Sequence, residues 1–285
     1  MGALKSLAAL CFALMLSGCA GFPGSAPVPE DNPLEQALLA EGIDPGVAAL
    51  VIFRLEDEKV WTHGGERVNA RFSPASTSKI PHTLLALENG AVTGPEERFT
   101  WDGETRFVDS WNEDQDFAAA FQRSTVWIYQ IVVPRIGAEQ LKQGLASFDY
   151  GNADIGGPDK ISTYWLGSPL AISAAEQVAF LSRLARWTLP LSAETYATAL
   201  PMMQLALGDG WALYGKTGWK QVKGETDIGW FVGWAEQTGG EAPGTYVFAL
   251  NMDMPGGKAE APKRRAAVER ALRSLGALPD ADQGR

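Results

Sequence analysis

Strand-like runs stand at both ends of this chain, and a long helical stretch separates them. Val47–Phe53 is a continuous apolar run, the pattern of a strand covered on both faces. Lys59–Thr62 is placed to pair with it as a hairpin. From Ser73 to about Trp187 the periodicity is mostly helical, and Ser173-Ala-Ala-Glu176 reads as a capping box that opens one of the helices. Strand patterns return over Trp211–Thr217, Asp227–Glu236 and Thr245–Met252, and a last helix is expected from about Pro262 to Leu275. The expected fold is therefore α/β of the α+β kind. Both chain ends build one antiparallel sheet of about five or more strands, flanked by helices, and the middle forms a second, mostly helical lobe. A cleft between sheet and lobe is a common place for a site.

The domain is expected over residues 34–278, after a short Pro33–Glu41 helix begins, with 279–285 as a tail. Residues 1–18 read as an export signal, with Lys5 followed by an apolar run from Leu7 to Leu16 that is too short to span a membrane. Residues 19–33, rich in Gly, Pro and Ala, read as a tether. Leu16-Ser17-Gly18-Cys19 resembles the lipobox of bacterial lipoproteins, which implies lipidation of Cys19 and an exported, periplasmic, membrane-anchored protein. Cleavage after Ala20 as an ordinary secretory signal is the alternative. Cys11 lies in the leader, so the mature chain is expected to hold no disulfide and to be stable through core burial.

The net charge of −10 argues against a nucleic-acid partner. Two histidines, His63 and His82, and one mature cysteine make a zinc site improbable, and both histidines read as surface or packing residues. Ten tryptophans fit a well-filled core or an aromatic-lined cleft.

Phe72–Glu88 carries the strongest chemical signal. Ser73 reads as a helix N-cap and Pro74 as the first helical position, which puts Ser76 in the first turn and Lys79 on the same face. Unpaired N–H groups and the helix dipole there favour developing negative charge. A serine hydroxyl attacks only once a base takes its proton, and a lysine is such a base when burial disfavours its charge. Pro81 conflicts with the helix by removing one backbone bond. Ser-x-x-Lys by itself is weak, because about one match is expected by chance at this length; the bland reading is a capped core helix.

Lys216-Thr217-Gly218 falls near the end of a strand pattern. Its lysine and hydroxyl could hold an anionic group, and its glycine could let a substrate backbone approach. Alone it reads equally as a turn. Ser124-Thr125-Val126 has a helix-capping alternative, and Tyr150-Gly151-Asn152 by itself reads as a turn.

In this order, Ser76-Thr-Ser-Lys79, Ser124-Thr-Val126, Tyr150-Gly-Asn152 and Lys216-Thr-Gly218 together resemble the class D, or oxacillinase-type, serine β-lactamases. Tyr164-Trp165-Leu166, Trp230-Phe-Val-Gly-Trp234 and Asn251–Gly257 followed by Lys263-Arg264 add to the likeness, which runs over about residues 35–277. Class A enzymes carry a Ser-Asp-Asn triplet and a separate glutamate base, whereas Ser124-Thr-Val126 puts no carboxamide there. Ser78 departs from the class D pattern, where an aromatic is common, and is expected to widen that side of the cleft.

The resemblance implies the serine β-lactamase/penicillin-binding-protein fold, a β-lactam substrate, no bound cofactor or metal, and carbon dioxide taken up as a carbamate on Lys79. It implies Ser76 as nucleophile, N-carboxylated Lys79 as general base and Ser124 as proton relay. Trp165 would be the carbamate's donor, and Val126 would keep that pocket apolar. The N–H groups of Ser76 and Trp219 would form the oxyanion hole. Lys216, Thr217 and Arg264 would face the substrate carboxylate, with Lys263 and Arg265 as rivals to Arg264. Tyr150, Gly151 and Asn152 would shape the site. A penicillin sensor that stays acylated, or a peptidase acting on cell-wall peptides, would use the same serine and lysine. Lys220–Thr226 is expected to shape one rim.

Overall fold

A computed structural model of the chain describes residues 32–221, 224–239 and 242–280. The leader, Cys19 and most of the expected tether and tail lie outside these residues.

The first helix, α1 (Pro33–Ala40), is capped by Asn32, whose side chain accepts from the Leu34 N–H and donates from Nδ2 to the Thr62 carbonyl. Strands β1 (Ala48–Arg54) and β2 (Val60–His63) form the expected hairpin. Helix α2 (Lys79–Glu88) follows, and β3 (Arg98–Phe99) pairs with β4 (Gln115–Asp116) in a small separate ribbon. The helical lobe continues through α3 (Phe117–Gln122), α4 (Val126–Ile136), α5 (Ala138–Ser147), α6 (Ala174–Ala185) and α7 (Ala193–Met203). The capping box at Ser173 and Glu176 is formed in full. The chain then returns through β5 (Gln204–Gly208), β6 (Trp211–Lys220), β7 (Asp227–Gln237) and β8 (Gly244–Met254), and α8 (Ala261–Ser274) closes it.

The main sheet has six strands in the order β2-β1-β8-β7-β6-β5, all antiparallel. The chain ends meet where β1 pairs with β8, Leu50 opposite Leu250. β5 was not visible as a strand pattern: its five residues run straight on from α7, and Leu207 is 69% exposed at the sheet edge. So short an edge strand carries no alternation to read.

Alternation along the central strands sends side chains to two cores. Leu50, Ile52, Phe231, Phe248 and Leu250 pack under α1 and α8. Val51, Val232, Trp234, Val247 and Ala249 face the helical lobe. The lobe-facing side carries the site.

Candidate active site

The nucleophile segment differs from the capped helix expected for it. Ser73 is no cap; its hydroxyl donates to the Trp165 carbonyl at 2.9 Å, and its own carbonyl accepts from the Trp230 indole at 3.0 Å. Residues Ala75–Ser78 form a 3-10 turn, and α-helical geometry begins only at Lys79. This removes the conflict at Pro81. The proline is the third residue of α2, directly after the 3-10 turn, close enough to the start of the α-helical segment for its fixed φ to be tolerated. Ala75 has φ +47°, left-handed for a residue with a Cβ. Such strain costs about 1–3 kcal/mol and persists only where the surroundings hold it. Here Phe72 bridges Ile172, and the Gln177 amide of α6 donates to Thr77 Oγ1 at 3.0 Å.

This turn places Nζ of Lys79 at 3.0 Å from Oγ of Ser76. Lys79 is 0% exposed. Burial, and then the charge of Lys216, hold its amine well below the usual lysine range. The Tyr129 ring lies 4.9 Å from its Nζ at the centroid, and the Tyr129 hydroxyl is engaged with Thr83 at 2.7 Å.

Ser124 is not a helix cap either. It has φ +61°, and Thr125 takes the position before α4 with its hydroxyl on Gln115. The strained turn aims Ser124 Oγ across the cleft, where it accepts from Lys216 Nζ. Lys216 on β6 is buried; desolvation, and then Arg264, push its pKa down to about 7. Arg264 is also buried, at about 10, and donates Nη1 to the Gly218 carbonyl and Nε to the Ala261 carbonyl at 2.9 Å. Its neighbours turn elsewhere: Lys263 to Gly42 O and Glu260, Arg265 to Glu269. Arg264, of the three, is therefore the one beside β6.

Two glycines make this assembly possible. A Cβ on Gly218 would stand 2.8 Å from the Pro74 carbonyl, so this glycine admits the chain's own nucleophile turn rather than only a substrate. A Cβ on Gly229 would clash with Met254 Sδ and meet Arg264 Cδ at 2.8 Å, so Gly229 leaves room for both side chains where α8 sends Arg264 across β7. The sequence signal was a glycine inside a strand pattern; its partner could not be read.

Thr217 and Trp219 are half-buried on β6, and the Trp219 indole donates to Asp227 at 2.8 Å. Val126 is half-buried at the start of α4, against the lobe core. Trp165 is 0% exposed, and its indole N–H has no hydrogen-bond partner among the described residues.

Tyr150, Gly151 and Asn152 stand behind these groups. The Gln177 amide that holds Thr77 also lies 3.3 Å from the Tyr150 hydroxyl. Asn152 ties down the following loop by donating to Pro169 O at 2.9 Å and accepting from Ala171 N at 3.0 Å. Ser78 does not widen the cleft: it is 0% exposed, and its hydroxyl donates to Ala75 O at 2.7 Å. His63 is half-buried, with Nε2 at 3.0 Å from Pro45 O, while His82 is fully buried in α2. Gln177 and Gly229 are contributors that motif reading did not single out, while His82, read as a surface or packing residue, is packed in the interior. Of the expected rim at 220–226, residues 222 and 223 lie outside the described residues.

A serine in reach of a desolvated lysine, below two further buried cations, defines an acyl-transfer site. The model of the penicillin binding protein transpeptidase domain matches residues 53–273. The chain is 43% identical over 213 residues to beta-lactamase OXA-2 of Salmonella typhimurium, covering 75% of this chain and 74% of that protein. The crystal structure of the class D beta-lactamase YbXI from Nostoc superposes with a TM-score of 0.80 at 36% identity, covering 86% of this chain and 99% of the other. The regulatory protein BlaR1 of Bacillus licheniformis is 35% identical over 202 residues, but these make up only 32% of that protein. The chain belongs to the penicillin-binding transpeptidase family and, within it, to the class D serine β-lactamases.

Proposed function

We propose that the protein hydrolyses β-lactams through an acyl-serine at Ser76, with Lys79 carboxylated on Nζ as the general base. The observation that carries this reading is the 3.0 Å contact between Ser76 Oγ and an amine held well below its usual pKa. Ser76 Oγ attacks the lactam carbonyl, the ring C–N bond breaks, and the nitrogen takes its proton through the Ser124 hydroxyl. Water then cleaves the Ser76 ester. The N–H groups of Ser76 and Trp219 are assigned to the carbonyl oxygen as its charge grows. Lys216, Thr217 and Arg264 are assigned to the substrate carboxylate, a charge that two buried cations favour.

Three features support carboxylation. A neutral buried amine is the form that takes up carbon dioxide, with release of one proton. Lys216 nearby favours the resulting anion. Trp165 offers a buried N–H without a partner. The carbamate would supply an oxygen base with longer reach than the amine. Val126 and Tyr129 keep its surroundings apolar. The mature protein is further proposed to be an exported lipoprotein anchored at Cys19, conferring resistance where β-lactams reach their targets.

The BlaR1 likeness keeps a slow, sensor-like acylation as the second reading. A progress curve with a chromogenic β-lactam at sub-stoichiometric enzyme separates the two. Many turnovers per enzyme are expected; a burst of one equivalent would establish the sensor reading instead. Labelled fatty acid should enter the wild type and not Cys19→Ala, and equal labelling of both would refute the anchor.

A further inference from the structure

His82 takes no part in the steps above, yet it is built into their setting. It lies one helical turn beyond Lys79 on α2, and both are 0% exposed. Its Nε2 is 2.7 Å from the Tyr164 hydroxyl. Its ring stands edge-on to Trp165, with centroids 4.9 Å apart and planes at 72°. Tyr164 and Trp165 are edge-on to each other at 5.2 Å and 87°. The three rings thus close on one another. Trp165 is otherwise tied through its carbonyl, by Ser73, which fixes its backbone and leaves the indole's direction to the ring cluster.

The chemistry of these rings suits a fixed support. Burial, then Lys79, push the His82 pKa down to about 3, so the imidazole stays neutral at working pH. Burial raises the Tyr164 phenol well above its ordinary range, so it stays a hydroxyl. The contact is therefore neutral and adds no cation beside Lys79 to a pocket that already buries Lys216 and Arg264. An aliphatic residue at 82 would leave the buried phenol unpaired.

We infer that His82 is a positioning residue which, with Tyr164, holds the Trp165 indole so that its N–H faces the Lys79 side chain. The inference deepens the proposal of a carboxylated Lys79 and rests on it for its kinetic consequences. Losing an aimed donor to an anion should cost about tenfold in carbon dioxide affinity. It should also slow deacylation more than acylation, because only deacylation needs the base to orient a free water.

The test uses the full chain labelled with 5-fluorotryptophan, with the Trp165 line assigned by its loss in Trp165→Phe. His82→Ala should shift or broaden that line. His82→Gln, whose amide can still reach the Tyr164 hydroxyl, should restore it in part. In the same variants, bicarbonate for half-maximal reactivation after carbon dioxide depletion should rise about tenfold in His82→Ala and less in His82→Gln. Active-site titration with a slow β-lactam corrects for misfolded protein. An unmoved fluorine line in His82→Ala overturns the inference whatever Lys79 does. A moved line with a wild-type bicarbonate requirement, and equal losses in both chemical steps, reduces His82 to packing and also overturns it. A wild type that needs no bicarbonate and shows no carbamate signal with 13C-bicarbonate contradicts the reading of Lys79 instead, and the fluorine line alone then decides on His82.

Discussion

The two faces of the central sheet are built from the same strands and do opposite work. Under α1 and α8, the Ile52, Phe231, Phe248 and Leu250 side chains meet apolar partners. On the lobe side, the interior takes in Lys79, His82, Gln177 and Lys216, and the turns that present Ser76 and Ser124 include left-handed residues with Cβ atoms. Burying a cation costs stability, and so does a left-handed residue with a side chain. Apolar packing on both faces offsets those costs; the lobe face turns them into chemistry, since the desolvation that penalises Lys79 also makes it a base.

The sharpest way to break this contrast is a pair of substitutions. Phe248→Ala should destabilise the protein by about 3–5 kcal/mol, measured by denaturant unfolding, while the rate per folded molecule holds. Lys79→Met should lower turnover at least about 10³-fold without loss of stability. If both variants lose stability and turnover together, the division between the faces is wrong.

Lys216→Met should have a smaller effect, and of opposite sign. The folded pKa of Lys216, about 7, lies below its unfolded value of 10.5, so the unfolded chain binds more protons between those values. The penalty is full below pH 7 and fades as pH rises toward 10.5. Lys216→Met should therefore gain about 2 kcal/mol at pH 6 and little near pH 10, read from melting curves, while KM for a carboxylated substrate rises. A gain that does not vary with pH would place its cause outside the buried charge.

What could be read in advance follows the same division. The strands and their apolar faces were legible because apolar runs and alternation encode burial and side. The order Ser76, Lys79, Ser124, Lys216 was legible as a pattern of motifs. The contacts that make it a site were not, because they join distant segments by backbone geometry. Ser73 looked like a cap and is a tie to Trp165. Ser78 is expected to widen the cleft and is instead buried, with its hydroxyl on Ala75 O. Gly229 has no visible purpose until Met254 and Arg264 lie against it. Nothing in local spacing carries such information.

The smallest effect expected is at Asn152, behind the site. Asn152→Ala should cost about 1 kcal/mol in stability through the lost ties to residues 169 and 171, with turnover within about twofold of wild type. A much larger loss of turnover would move this turn from support into the chemistry.

The most direct measurement is the mass of the intact protein after brief exposure to a slowly hydrolysed β-lactam, followed by digestion. One adduct is expected, on Ser76, and it should disappear with time in the wild type but persist in Lys79→Met wherever that variant is acylated. An adduct on Ser73 or Ser78, with Ser76→Ala still turning over substrate, would contradict the account.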